Sequence, residues 1–520
     1  MCKFNHLKSI LNYINIYSKK SWIQFLLFSG ILWLIFVHLH INRHLEDMII
    51  GPHYWRKSDT YAQIMNYYYN GLNFFDHGIY FNQMDSNAKA VAEFPLIYWL
   101  IALQLKIFGN YILIIKINYI IILFSGLFSV FKIANHFLKN LGLSLFMSTV
   151  LFLSPIFTFY SVAYLPDPLA LNVMFIGLWL LLRSIDKKTT KPLVFAILLI
   201  SIGGMIKPFF LIPYLAFLST TLISQFLINK DELKLKWAYL IPLFLVGIWF
   251  YYANWYNAKV GSDYFLSEAR PVWNYSAEAL NKTWIRINER WLPEYIHPNI
   301  LWVFISLIGV NLMWWKKGKV NYNLYYLFSV VGCVSFIILF FNMFEHHDYY
   351  IFPLFFILPL TLGLFIYKLI DTINDKWFNT LFSIGLLITL FLGLNNTWEI
   401  NEGRRKTPWV NSKHLFENYQ NLEHFLLKNN VQQSDLVFSF SDKSPSFALS
   451  LLNRKGWSGF QTKPNKIELK ELINHGASYL IMNVNAPLIM NDSIITERYL
   501  NYPIDDTNNI YLYDLKPYKN

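Results

Sequence analysis

The sequence predicts an α-helical polytopic membrane protein with about 11 transmembrane helices and a small C-terminal α/β domain outside the membrane. Three observations carry that reading. The chain of 520 residues is 55% hydrophobic and 19% aromatic, but only 15% charged, with a mean hydropathy of +0.32. Soluble domains carry about 25% charge, so this apolar surface exceeds what one water-soluble core can hide. Second, apolar runs of spanning length recur along the first 395 residues, separated by loops of two alternating kinds. Third, the composition turns polar after Asn396.

From the N-terminus, Lys3, Lys8, Lys19 and Lys20 precede the apolar run Trp22–Ile41. A run of about 20 residues is too long for a signal-peptide core, and no small-residue cleavage site follows. It reads as an uncleaved first span with a cytoplasmic N-terminus. Further spans are expected at 111–133, 142–160, 165–183, 191–206, 209–228, 237–255, 299–315, 324–342, 350–369 and 377–395. Some connections are short and basic: Lys132 with Lys139, Lys187 and Lys188 with Lys191, Lys230 with Lys234 and Lys236, and Lys316 and Lys317 with Lys319. Others, at 42–110, 256–298, 343–349 and the tail, are aromatic and mixed in charge. With the Lys-rich loops cytoplasmic, the two kinds alternate across every span.

That parity settles Leu96–Phe108, which is apolar but too short to span. If it crossed, every later basic loop would move outside, so it is expected as an interfacial helix within the first outer loop, 42–110. Residues 396–520 carry strand-like runs at Asp435–Phe440, Tyr479–Met482 and Ile510–Tyr513, and a helical run at Ile467–Asn474 closed near Gly476. The domain organisation is thus 1–395 in the membrane and 396–520 as an α/β domain outside it.

The net charge of +12 belongs to basic cytoplasmic loops, and no basic run is long enough for a nucleic-acid surface. Cys2 and Cys333 are the two cysteines, which excludes a disulfide framework and a CxxC metal site.

The chemistry-bearing residues gather on the expected outer side. Asp59 lies in HYWRKSDTYAQ, just past the first span, ahead of the amphipathic run Thr60–Tyr68. A carboxylate there can take the proton from an attacking hydroxyl, worth about 10² to 10⁴ in rate; as an alternative, Ser58 or Asp59 caps that helix. Arg56 and Lys57 can hold a phosphate leaving group or snorkel to lipid headgroups. Glu93, just before the interfacial helix, can ligate a divalent cation or orient an acceptor, or else answer a helix dipole. Asp167, between prolines, and Lys207, between Gly203-Gly204 and Pro208, sit at outer turns. His346, His347, Asp348, Tyr349 and Tyr350 open the tenth span. Neighbouring histidines do not share a helical face, so a zinc site here is weak, while the tyrosines can meet a phosphate or sugar. His297 ends the loop 256–298 as a further candidate metal ligand.

These blocks together resemble the GT-C superfamily of polyprenyl-phosphate-dependent glycosyltransferases, especially the bacterial branch with aminoarabinose transferases and protein mannosyltransferase-like enzymes. The resemblance rests on Arg56–Thr60 in the first outer loop, Glu93–Leu96 before a Tyr-Trp-rich helix, Leu165–Asp167, and His347–Pro353. Ser441–Pro445 and Gly476–Leu480 in the tail add to it. It implies a GT-C fold, Asp59 near the acceptor hydroxyl, and Tyr350 near the lipid phosphate. It also implies Glu93 at an acidic position that helps to hold a divalent metal (Mg, Mn or Zn). The sequence departs at Phe94, where the aminoarabinose enzymes carry a phosphate-binding lysine; Arg56, Lys207 or His346 would have to substitute.

The expected protein is therefore a multi-pass glycosyltransferase of the plasma (inner) membrane with its tail outside. Its donor would be a polyprenyl-phosphate sugar, its acceptor a hydroxyl on a lipid, glycan or protein, its base Asp59 and its stereochemistry inverting. The rival readings are a flippase or transporter, and a polymerase or ligase, for the same lipid-linked saccharides. A transporter is expected to place ionisable residues near span centres, whereas here they cluster at the outer mouths.

Overall fold

The computed structural model describes residues 20–47, 49, 51–83, 87–226, 236–264, 268–373, 376–406, 416–419, 422–460, 469–483, 503–507 and 509–518. Lys3, Lys8, Lys19, Lys230 and Lys234 lie outside the described residues. The chain is a multi-pass helical membrane protein with a small sheet region at its C-terminus. Among the described residues, eight helices are long and apolar enough to cross a membrane, or nine if the bent pair Ala277–Tyr295 and Pro298–Met313 counts as one span.

Three expected spans fall short of that length. The segment expected at 142–160 is broken into Leu141–Thr149, a 3-10 turn Val150–Leu153, and Pro155–Tyr160. The break has a local cause: Ser154 caps the second piece by accepting from Phe157 N, and Pro155 stands at its first turn. The helices Thr190–Ile206 and Pro298–Met313 have 17 and 16 residues. Contacts nonetheless carry all three from one end of the bundle to the other. Asn140 accepts from Ser383 at one end, and Tyr160 donates to Asp348 at the opposite end. Lys207 meets Asp167 at this second end, Glu294 meets Arg404 there, and Asn311 meets Lys368 at the first. Leu96–Phe108 forms one 13-residue helix with the expected bounds.

The last long helix, Lys376–Lys406, runs past the expected domain boundary at 395. Its terminal turns belong to the bundle, because Arg404 is buried against Asp348 and Glu294.

The tail holds a five-stranded mixed sheet of β1 (Val437–Ser439), β2 (Gly456–Ser458), β3 (Tyr479–Asn483), β4 (Asp505–Thr507) and β5 (Ile510–Asp514), in the order β2-β1-β3-β5-β4. β1 pairs in parallel with β2 and β3, while β5 runs antiparallel to β3 and β4. The period of two splits the strands between faces. Val437, Tyr479, Ile481, Ile510 and Leu512 join the main core with the Phe447–Leu452 helix. Phe438, Leu480, Met482 and Tyr513 pack instead on the Leu469–Asn474 helix. Phe81, from the loop after Tyr69, forms a parallel bridge to Gly456, with Asn82 N donating to Gly456 O at 2.6 Å and Gly456 N to Tyr80 O at 3.0 Å. Gly456 sits at φ +151°, where a Cβ would collide with the Val437 carbonyl. The tail is thus bonded to the loop behind the Tyr54–Tyr69 helix.

Candidate active site

The Tyr54–Tyr69 helix is the spine of the site. His53 precedes it in the left-handed region, at φ 55°. Because the helix begins at Tyr54, Asp59 lies in its second turn and Ser58 bonds back to Trp55 O at 2.6 Å. The capping alternative for these two residues is thereby corrected.

Spacing then sorts the side chains. Arg56, Asp59 and Gln63 recur at three and four residues and share a face. Arg56 Nη1 lies 3.6 Å from Asp59 Oδ2, and its other terminal nitrogen pairs with Glu93. Gln63 Nε2 donates to Glu93 Oε2 at 3.3 Å. Glu93 therefore answers Arg56, not the dipole of the following helix, which starts only at Leu96. Lys57 points elsewhere: it is buried with its ammonium 5.1 Å from the Phe159 ring and 5.7 Å from that of Tyr160. Burial, with Lys116 and Arg404 nearby, lowers its pKa to about 7.

Asp167 opens the Pro166–Lys187 helix and accepts from Lys207 Nζ at 2.8 Å with each oxygen. Lys207 follows the Thr190–Ile206 helix, which Pro208 terminates. Its ammonium stands 5.2 and 5.4 Å from the rings of Tyr349 and Tyr350. Arg56 is close enough to Lys207 to repel it. His347 completes this wall, stacked on Trp55 and Tyr350 and touching the Tyr349 hydroxyl at 3.3 Å. Burial drives its pKa well below the usual histidine range, so the ring is neutral.

Asp59 itself is 5% exposed. Burial pushes its pKa up to about 6, against the opposing pull of Arg56 and of the nearby Tyr264 and Ser446 hydroxyls. It is mainly ionised at neutral pH yet titrates close by, which suits a general base.

The packing thus gathers Arg56, Asp59, Glu93, Asp167, Lys207, His347, Tyr349 and Tyr350 at one end of the bundle. Four expectations need correction. Lys57 lies on another face of its helix. Asp348 is fully buried and occupied: it takes His53 Nε2 at 2.9 Å, Arg404 Nη2 at 2.6 Å and the Tyr160 hydroxyl at 3.1 Å. His346 is mostly exposed, with a contact of 3.5 Å to Glu345. His297 caps the Pro298–Met313 helix, its Nδ1 accepting from Asn299 N at 3.3 Å. Among the described residues, no three His, Cys, Asp or Glu side chains converge as metal ligands.

Sequence reasoning missed Tyr264 and Ser446, whose hydroxyls face Asp59. Ser446 follows the Ser441–Pro445 block quoted for the tail, so a signal was present. Tyr264 is one tyrosine among 34, and nothing in its surroundings marks it.

Residues 91–255 match the family model described as dolichyl-phosphate-mannose-protein mannosyltransferase. This stretch contains Glu93, Asp167 and Lys207. A search of curated proteins gives no match. Among solved structures, ArnT from Cupriavidus metallidurans in the apo state superposes with a TM-score of 0.59 at 12% identity, covering 95% of this chain and 97% of that one. The same protein bound to undecaprenyl phosphate gives 0.58 at 12% identity, covering 95% and 98%. The likeness extends over 95% of the chain, bundle and tail together, and shows a shared fold.

Proposed function

We propose that this protein is an integral membrane glycosyltransferase. It takes a sugar from a polyprenyl-phosphate carrier and passes it to a hydroxyl of a lipid, glycan or protein acceptor. The observation that carries the reading is Asp59, a carboxylate whose pKa burial raises to about 6, gathered at one end of the bundle with the cations Arg56 and Lys207 and the phenol Tyr350. The matched family and the undecaprenyl phosphate bound by ArnT support the donor class. Among the described residues, the Lys-rich turns at Lys139 and at Lys316–Lys319 lie toward the opposite end of the bundle, near Ser383 and Lys368, which supports an extracytoplasmic site and tail in a plasma membrane.

In this reading the acceptor oxygen attacks the anomeric carbon from the face opposite the phosphate. The new C–O bond forms as the bond to the phosphate oxygen breaks. The electron pair leaves with the polyprenyl phosphate, and the hydroxyl proton passes to Asp59. One displacement inverts the anomeric centre. Glu93 and Asp167 hold Arg56 and Lys207 in position, and the departing phosphate shares both cations as its charge develops. Phosphate leaves readily, so no second carboxylate is required as an acid.

The test supplies purified protein in liposomes with radiolabelled polyprenyl-phosphate sugars and candidate acceptors, and identifies the product. Transfer that is lost in Asp59→Asn, with normal expression, is the expected result. Full transfer by Asp59→Asn would sink the base assignment. Lipid flipping without any sugar transfer would favour the transporter.

A further inference from the structure

Ser446 immediately precedes the Phe447–Leu452 helix and is fully buried. A serine there ordinarily caps its helix. Here other groups supply the cap instead, with Ser444 Oγ accepting from Phe447 N at 3.1 Å and Asp442 Oδ2 from Ala448 N at 2.8 Å. The Ser446 hydroxyl is released from the helix it opens, and its Oγ has no hydrogen-bond partner among the described residues. Asp59 Oδ1 is likewise buried without one. Ser446 and Tyr264 both stand close enough to Asp59 for their hydroxyls to act on its carboxylate. Buried polar groups ordinarily have partners, and these two atoms lack one within their own elements.

The tail is also fixed against the helix that bears Asp59. The Tyr54 and Phe447 rings meet edge to face at 4.7 Å, Lys455 Nζ reaches Asn66 Oδ1 at 3.4 Å, and the Phe81–Gly456 bridge lies behind them.

We infer that Ser446 of the C-terminal domain, together with Tyr264 of the loop 256–298, is a positioning residue for Asp59, donating to its carboxylate and aiming it. The tail is then a part of the active site, not only a cover over it. This rests on the reading of Asp59 as the base. The charged and titratable groups facing Asp59 are Arg56 on its own helix, Glu93 and Tyr98 from the first loop and short helix, Tyr264, and Asp442 beside Ser446.

The experiment uses the full chain in detergent and follows the Asp59 carboxyl by infrared titration, as the difference from Asp59→Asn, alongside the pH–rate profile with a polyprenyl-phosphate sugar. Ser446→Ala is expected to move the midpoint up by roughly half a pH unit and to slow transfer about threefold below pH 6, with little change at pH 8. Ser446→Thr should restore the profile. Ser450→Ala, a buried serine on the far turn of the same helix, should leave it unmoved. A Ser446→Ala midpoint equal to wild type, or an equal shift in Ser450→Ala, overturns the inference. If Ser446→Ala does not fold, Tyr264→Phe decides by the same upward shift or its absence. An inactive Asp59→Asn with an unmoved Ser446→Ala sinks this inference alone, whereas a fully active Asp59→Asn sinks the base as well.

Discussion

Asp59 and Asp348 are buried carboxylates at the same end of the bundle, and the chain treats them oppositely. Asp348 binds together distant segments: His53 before the first long loop helix, Tyr160 at the end of a broken span, and Arg404 on the last helix, which also holds Glu294. Asp59 has a cation at 3.6 Å and an oxygen with no hydrogen bond among the described residues. A saturated buried ion cluster holds a fold together, because removing one partner strands the others. An unsaturated one keeps a carboxylate available for a proton. Both acids are invisible from bulk water, so burial alone does not separate structure from chemistry; the number of committed partners does.

The largest effect expected from this contrast is on rate. Asp59→Asn should lower sugar transfer by about 10² to 10⁴ without lowering the melting temperature at pH 7.5, read on the same preparation. A matching loss of stability would remove the distinction. Next is stability: Asp348→Ala should cost about 3–5 kcal/mol in detergent unfolding followed by tryptophan fluorescence, by removing the acceptor that His53, Tyr160 and Arg404 share. A variant that melts like wild type would show that the cluster holds nothing.

A smaller effect separates the two by pH. Burial raises the Asp59 pKa from 3.8 to about 6, so transfer should decline as pH falls through about 6, where the base takes up a proton. The linkage has the opposite sign to that of a salt-bridged carboxylate. The folded chain binds this proton more readily than the unfolded chain, so Asp59 detracts from stability above pH 6 and ceases to do so as pH falls toward 4. A flat transfer profile between pH 5 and 8 would contradict the assignment. The smallest effect is at His346, whose side chain is 67% exposed: His346→Ala should change stability by less than about 0.5 kcal/mol and leave the KM for the lipid donor unmoved.

Much of the fold was legible because membrane burial leaves a strong signal in one dimension. Long apolar runs marked most of the passes, and the apolar run Leu96–Phe108 forms a helix with those bounds. The break at Ser154-Pro155 was less visible, since the residues on both sides stay apolar. In the tail, β1, β3 and β5 coincide with the strand-like runs, while the three-residue strands β2 and β4 are too short to show a period. Grouping by loop type put Asp59, Glu93, Asp167 and Lys207 together, and the packing gathers them at one end of the bundle. That grouping could not tell Arg56 from Lys57, because adjacent residues on a helix diverge by about 100°, and only the true helix start fixes where each one points.

The sequence by itself determined the multi-pass class, the polar tail and the set of acids and bases held at one end, since hydropathy and loop charge follow directly from residue order. Tertiary structure alone decided which carboxylate is saturated. Asp348 depends on Arg404, 56 residues away, and on Tyr160, 188 residues away. Asp59 faces Tyr264 and Ser446, from segments far along the chain. Such partnerships are set by packing between distant segments, and no local pattern of residues records them.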